Sequence, residues 1–260
     1  MPKLRLSYSK ASTFLSCRKA YYWSYIEELI PKEKSTALQV GDIVHRLLHL
    51  HALGELRAET IVNLDELVGR LNTENTDELN VEVAYEAARL VSGYLTKYQN
   101  DPLSFMSPEL PMELELPNFI LVARIDSLAR PKSGLLWRVE HKTAAKADSA
   151  YLGGLKAGLQ GSIYDFIVEE LLKEKLSGTI YNLLIKTQTP DYKRSYTMIN
   201  RKAIERALQT LEGVARDINL GDFYPSSKCH TFNRTCDYLT LCEHDSPSTR
   251  KAFFKKKEET

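Results

Sequence analysis

Residues 120–142 read ILVARIDSLARPKSGLLWRVEHK, and this stretch decides the fold. Ile120 to Ala129 has strand composition, Pro131-Lys132-Ser133-Gly134 has turn composition, and Leu135 to Lys142 makes a second strand. Two strands joined by a tight turn make a hairpin. Side chains alternate along a strand, so Glu140 and Lys142 share one sheet face and His141 points to the other. Hairpin pairing can bring Asp126 beside Glu140. Carboxylates that meet repel each other unless a cation lies between them. A hard divalent ion, Mg²⁺ or Mn²⁺, takes oxygen ligands, lowers the pKa of a bound water and stabilises charge developing on a phosphate, while a neighbouring ammonium orients or activates the nucleophile. The plain alternative for an isolated E-x-K is a solvent-facing salt bridge.

Outward from the hairpin, Met112 to Leu116 alternates and places Glu113 and Glu115 on one face. Before it, helical spacing covers about Ala37 to Leu53 and Val81 to Tyr98, with a polar stretch from Asn72 to Asn80 between them. Ser7 and Ser9 offer N-cap side chains to an N-terminal helix carrying Phe14, Tyr21, Tyr22 and Tyr25. After the hairpin, Gly158 to Lys173 is helical, Gly178 to Lys186 is β-rich with Tyr196 to Ile199 as a partner, and Arg201 to Ile218 is helical. With no repeat and no long linker, the pattern predicts a single α/β domain over 1–260, ending in a flexible tail from 246.

The chain has four cysteines, Cys17 near the start and Cys229, Cys236 and Cys242 near the end, the last three spaced C-x6-C-x5-C. Three clustered thiols with one remote partner suit a tetrahedral soft-metal site that ties the two ends together, and both zinc and an iron-sulfur cluster accept such a set. Met1 to Lys10 contains no apolar signal segment, which places the expected compartment in the reducing cytoplasm. His45 and His49, four apart, would put two imidazoles on one helical face for zinc, but no third ligand is identified nearby. His230, next to Cys229, is an alternative cluster ligand.

At 260 residues, 43% hydrophobic and 27% charged, the chain can bury a core. No run of apolar residues is long enough to span a membrane. With 35 basic against 34 acidic residues the net charge is +1, so contact with a polyanion has to come from a local groove rather than a global field. Lys255, Lys256 and Lys257 read as a solvated end. There is no Walker A motif and hence no helicase function.

The order of residues is more specific than any one motif. Gly41 and His45 form G-x3-H, a strand glutamate follows at Glu113 or Glu115, then Arg124-Ile125-Asp126, Glu140-His141-Lys142, and Gln160 with Tyr164 as Q-x3-Y. This order resembles the PD-(D/E)xK nuclease superfamily, in particular its RecB-like and CRISPR-adaptation exonuclease branch, several members of which carry one cysteine before the nuclease core and three after it on a 4Fe-4S cluster. The resemblance extends from the helix around Cys17 to Cys236-Asp237-Tyr238-Leu239-Thr240-Leu241-Cys242. It departs at Ala123, where glycine is usual, at Arg18, where proline often stands, and at C-x6-C, where C-x2-C is common.

The resemblance implies a restriction-endonuclease-like core with a central mixed sheet flanked by helices. It implies Mg²⁺ or Mn²⁺ ligation by Asp126, Glu140 and the His141 carbonyl, with His45 completing the shell and Glu113 or Glu115 assisting. Lys142 is then catalytic, Gln160 and Tyr164 position nucleic acid, and Cys17, Cys229, Cys236 and Cys242 hold the cluster. The function it implies is exonuclease action on single-stranded DNA or DNA ends in recombination, replication or CRISPR adaptation, alongside proteins of those pathways and in a phage or prokaryotic setting. Two competing readings are a catalytically silent iron-sulfur DNA-binding subunit of a larger complex and a zinc-stapled structural protein.

Overall fold

The computed structural model describes residues 2–33, 35–56, 69, 80–106, 108–227, 229–231 and 234–257. The polar stretch expected from Asn72 lies outside them up to residue 79. Among the described residues no helix is long and apolar enough to cross a membrane. The chain forms two compact units, one of Met1–Lys34, Glu113–Val122 and Glu205–Thr260, the other of Ser35–Met112 and Ala123–Ile204.

The second unit is built on a five-stranded mixed sheet, order β3-β6-β7-β8-β9, formed by Ser104–Met106, Ser127–Arg130, Leu136–Ala144, Leu176–Ile185 and Asp191–Met198. Strands β7 and β8 run parallel and all other neighbours are antiparallel. Its two longest strands, β7 and β8, are buried over most of their length, as the centre of a covered sheet requires. Gly178 is needed where β9 crosses, because a Cβ there would stand 2.0 Å from the Thr197 carbonyl oxygen. Helices α3 (Thr36–Ala52) and α4 (Val81–Lys97) each turn a stripe of buried residues inward, and Val44, Leu47, Ala84, Ala87, Leu90 and Val91 join Leu184 of β8 in one core. Helices α5 (Ser149–Ala157) and α6 (Leu159–Leu172) follow β7.

The expected strand from Ile120 to Ala129 is divided at Asp126. Residues Phe119–Ile125 form β5, which runs parallel to β1 (Leu4–Ser7), whereas β6 begins at Ser127 and pairs with β7. Asp126 is the residue at which the chain changes sheets. A break of this kind re-aims one side chain without disturbing the strands on either side.

In the first unit, β1, β5 and β4 (Leu110–Glu115) make a three-stranded sheet. Helix α1 (Tyr8–Ser16) is capped as its sequence suggests, Ser7 Oγ accepting from the Lys10 N–H at 3.2 Å. Two turns follow, α2 (Arg18–Tyr21) and a π-helical turn (Tyr22–Ile26). Helix α7 (Arg201–Leu220) starts in the second unit and ends in this one. Ala20, Trp23, Leu29, Tyr238, Leu241 and Phe254 form a small core here. The segment expected to be a loose tail from 246 is folded instead. Ser246 caps a short helix over Pro247–Phe253, and Phe254–Lys256 pairs antiparallel with β2 (Leu29–Pro31). Phe254 explains this, since it is buried and stacks on Tyr238 at a centroid distance of 5.6 Å. The Lys-rich composition hid a single anchoring ring.

Candidate active site

The alternation of β7 buries Glu140 and turns it toward Lys142 and Arg138, the residues two positions either side. Glu140 Oε1 accepts from Lys142 Nζ at 2.6 Å and Oε2 from Arg138 Nη1 at 2.6 Å. Glu140 is 2% exposed and Arg138 0%. Arg138 Nε donates to Asp165 Oδ1 at 2.8 Å, and Asp165 also accepts from Thr179 Oγ1 at 2.8 Å. Burial alone would lower the Arg138 pKa, but Asp165 and Glu140 outweigh it and hold the guanidinium firmly charged.

Lys142 Nζ has a second acceptor, Gln160 Oε1 at 3.0 Å, supplied by the first turn of α6. Burial works to lower its pKa and contact with Glu140 outweighs that, keeping it above the usual lysine range. Tyr164, one turn beyond Gln160, is hydrogen-bonded to it, and its ring lies 5.5 Å from the Arg138 guanidinium carbon. Gln160 and Tyr164 therefore brace the lysine and the arginine in this structure.

Asp126, at the break between β5 and β6, sits one step beyond the pairing of Ser127 with Val139, which brings it opposite Glu140. Its Oδ2 accepts from the His141 backbone N–H at 2.7 Å, and its Oδ1 lies 3.4 Å from His45 Nδ1. Burial would raise this carboxyl, but His45 and the His141 N–H prevail and hold it near pKa 2. His45 responds in the opposite sense. Burial lowers its pKa, Asp126 more than restores it, and the net shift is upward. His141 is pushed down to about 4 by burial, so its imidazole is neutral at ordinary pH, and its Nδ1 has no hydrogen-bond partner among the described residues.

The other predicted carboxylates are paired with basic side chains. Glu113 is paired with Arg5 through two contacts, one of 3.0 Å, and Glu115 with Lys3 at 2.6 Å, all in the first unit. The carboxylate that shares a cleft with His45, His49, Asp126 and His141 is Glu109. It stands in the left-handed region at φ 46°, donates its backbone N–H to the Asp126 carbonyl at 2.8 Å, and lies 3.6 Å from Arg124. A non-glycine residue held at positive φ is one of the few backbone features that points to a site. Arg138, Asp165 and Glu109 escape sequence reading because a lone charge in a strand, helix or loop reads as solvent-facing.

The four cysteines are free thiols that gather in the first unit. Cys17 Sγ accepts from the N–H groups of Ala20 and Ser226, each at 3.4 Å, and the Cys236 N–H donates to the Cys229 carbonyl at 2.8 Å. Burial would raise Cys17, but those N–H groups hold it below the usual thiol value. Cys242 is pushed up to about 11, first by burial and then by Cys229, Cys17 and Cys236, so all four thiols are within electrostatic reach of one another. Among the described residues no group of three or more His, Cys, Asp or Glu side chains is arranged ready-made for a metal ion.

The model of the PD-(D/E)XK nuclease superfamily matches residues 5–243. The chain belongs to this superfamily. Its α/β architecture, with mixed sheet and flanking helices, agrees. Among solved structures, a provisionally named exonuclease from Eubacterium rectale aligns over 98% of this chain and 91% of its own at 20% identity and a TM-score of 0.58, a likeness of fold. The crystal structure of SSO0001 aligns over 81% of this chain and 97% of its own at 16% identity, with a TM-score of 0.35, too low to carry an argument. Among curated proteins none matches. PD-(D/E)XK nucleases usually use divalent metals such as Mg²⁺. The donors suit such an ion in kind, since Asp126, Glu109 and His45 line one cleft and Glu140 stands opposite Asp126 on the neighbouring strand, and hard cations that keep several waters need only one or two protein carboxylates.

Proposed function

We propose that this nuclease is a metal-dependent deoxyribonuclease of the RecB-like exonuclease branch, acting on single-stranded DNA or DNA ends and carrying a 4Fe-4S cluster on Cys17, Cys229, Cys236 and Cys242. The observation that carries the proposal is the convergence of Asp126, Glu140 and Lys142 at one point of the sheet, each with fixed partners. Asp126, Glu140, the His141 carbonyl and His45 would hold Mg²⁺ or Mn²⁺. When bound, the ion supplies an acidified water and neutralises charge on the phosphate. Lys142 stays protonated between Glu140 and Gln160, so it orients the attacking water and donates to the phosphate oxygens instead of removing a proton. Arg138 holds Glu140 from behind through Nη1, and Gln160 holds Lys142 at its working distance. Glu109 borders the cleft as a further carboxylate. The provisional name of the Eubacterium rectale neighbour supports exonuclease action, and recombination, replication and CRISPR adaptation are the settings that this chemistry suits. The mutual reach of the four thiols supports the cluster.

The test is anaerobic purification followed by incubation with Mn²⁺ and end-labelled DNA. Progressive loss from the ends, abolished by EDTA, is expected, from a brown protein with about four irons per chain. Intact DNA with Mn²⁺ and with Mg²⁺ would remove the catalytic proposal. Stoichiometric zinc without iron would remove the cluster alone.

A further inference from the structure

Next to the metal cleft lies a second hollow of about 470 Å³, and the two share Leu48, Ala52, Phe105, Pro108 and His141 in their linings. Helix α3 supplies one wall, Tyr94 of α4 and Tyr98 just past its end another, and the edge strand β3, with Phe105 and Met106, the lip. Among the described residues the lining contains aromatic and aliphatic side chains but no lysine or arginine, and its carboxylate, Asp101, is held by Arg194, with one contact at 2.8 Å. The Arg194 guanidinium also covers the Tyr98 ring at 4.0 Å. These walls do not suit a phosphate. They suit a flat, weakly polar group.

Two features say what that group is. Phe105 is 41% exposed on a strand whose three residues are all exposed, an apolar ring presented at the rim without cover. Behind it Tyr94 and Tyr98 add aromatic wall, and His51, Gln99 and His141 add polar groups to the lining. A nucleobase matches that mixture, with a π-face for the rings and polar edges for the amide and imidazoles.

We infer that this hollow is a subsite for one unpaired nucleobase of the strand being cut, adjacent to the bond hydrolysed at Asp126, Glu140 and Lys142. The inference rests on the nuclease proposal for its choice of ligand and deepens it, because a base held in the hollow cannot also be stacked and paired in a duplex. Substrate is then a single strand, or an end frayed by at least one nucleotide. The site reads ring shape more than sequence, since stacking accepts every base.

The experiment uses the metal-loaded protein with Ca²⁺ in place of Mn²⁺ to hold the strand uncut, and single-stranded oligonucleotides carrying 2-aminopurine at either terminal nucleotide. Wild type should quench one of the two probes on binding. Phe105→Ala should bind that oligonucleotide about 10-fold more weakly and lose most of the quench, and Phe105→Trp should restore both. An abasic nucleotide at the same position should weaken wild type by a similar factor and Phe105→Ala by no further amount. Equal affinity and quench in wild type and Phe105→Ala, an abasic penalty that persists in Phe105→Ala, or no quench in wild type would each overturn the subsite. Cleavage decides the other proposal separately. A protein that shows this binding pattern but cuts no DNA with Mn²⁺ keeps the subsite and loses the nuclease activity, and one that cuts DNA without the pattern does the reverse.

Discussion

The two chemical centres of this molecule solve the problem of buried charge in opposite ways. In the second unit Glu140 is neutralised by Lys142 and Arg138, and Asp126 by His45 and the His141 N–H, so the carboxylates are compensated by the protein itself. In the first unit the thiols mostly oppose one another's ionisation, with burial and neighbouring sulfurs pushing Cys236 and Cys242 upward. On the proposed function, the first arrangement takes a divalent ion as a late addition to a site already compensated. In the second, the proposed cluster would supply the charge that favours thiolates at Cys236 and Cys242. Metal is therefore expected to govern activity in one region and folding in the other.

The largest effect should come from Lys142→Ala, which removes the only ammonium bonded to both Glu140 and Gln160 among the described residues. A fall in Mn²⁺-dependent cleavage of about 10³-fold is expected, with the far-ultraviolet circular dichroism spectrum unchanged. Retention of more than a tenth of wild-type turnover would place the chemistry elsewhere. Next is Arg138→Met, which leaves Glu140 with Lys142 alone and takes from Asp165 the guanidinium bonded to it. Breaking a buried ion pair by removing one partner costs about 3–5 kcal/mol, so denaturant unfolding should show a loss of that order, together with weaker Mn²⁺ dependence. A neutral outcome would mean that Arg138 is a passenger.

Cluster removal sharpens the comparison from the other side. Cys17→Ser, or anaerobic chelation, should destabilise the protein by about 3 kcal/mol, roughly 6–12 °C in melting temperature, and expose the C-terminal segment to protease. Washing out Mn²⁺ with EDTA should move the melting temperature far less. If the two treatments destabilise equally, the contrast between a compensated and an uncompensated site is wrong. The smallest effect is expected from Tyr164→Phe, which removes the hydroxyl bonded to Gln160 but keeps the ring against Arg138. A loss of about threefold in turnover with unchanged KM would fit a brace for Lys142, whereas a rise in KM alone would return Tyr164 to substrate contact.

The pairs Glu140–Lys142 and Gln160–Tyr164 were legible in the sequence because strand alternation and one-turn helical spacing put each on one face, whereas the wider order from Gly41 through His45 and Asp126 was carried by the family resemblance. The division of the expected strand at Asp126 was not legible, since nothing local distinguishes a strand from two strands in different sheets. Arg138 was invisible for a related reason. Its burial depends on Asp165, Thr179 and Glu140 converging from three elements, and no pattern along β7 announces that. The same convergence revises an inference from like charges. Sequence suggests that removing either carboxylate relieves repulsion, but Glu140 stands between two cations, so deleting it should cost stability, and only an isosteric amide tests its chemistry cleanly.

That substitution gives the most direct test of the central claim, that Glu140 serves as a charged donor for a catalytic divalent ion. Glu140→Gln preserves volume but keeps a single acceptor oxygen, so it can accept from Lys142 or from Arg138 while its amide N–H₂ faces the other, and its Mn²⁺-dependent cleavage of end-labelled DNA should be measured beside the wild type under anaerobic conditions. The account predicts a folded, cluster-bearing protein whose cleavage has fallen by about 10²-fold or more and whose Mn²⁺ requirement has shifted to higher concentration. Wild-type cleavage at the wild-type Mn²⁺ concentration would contradict it.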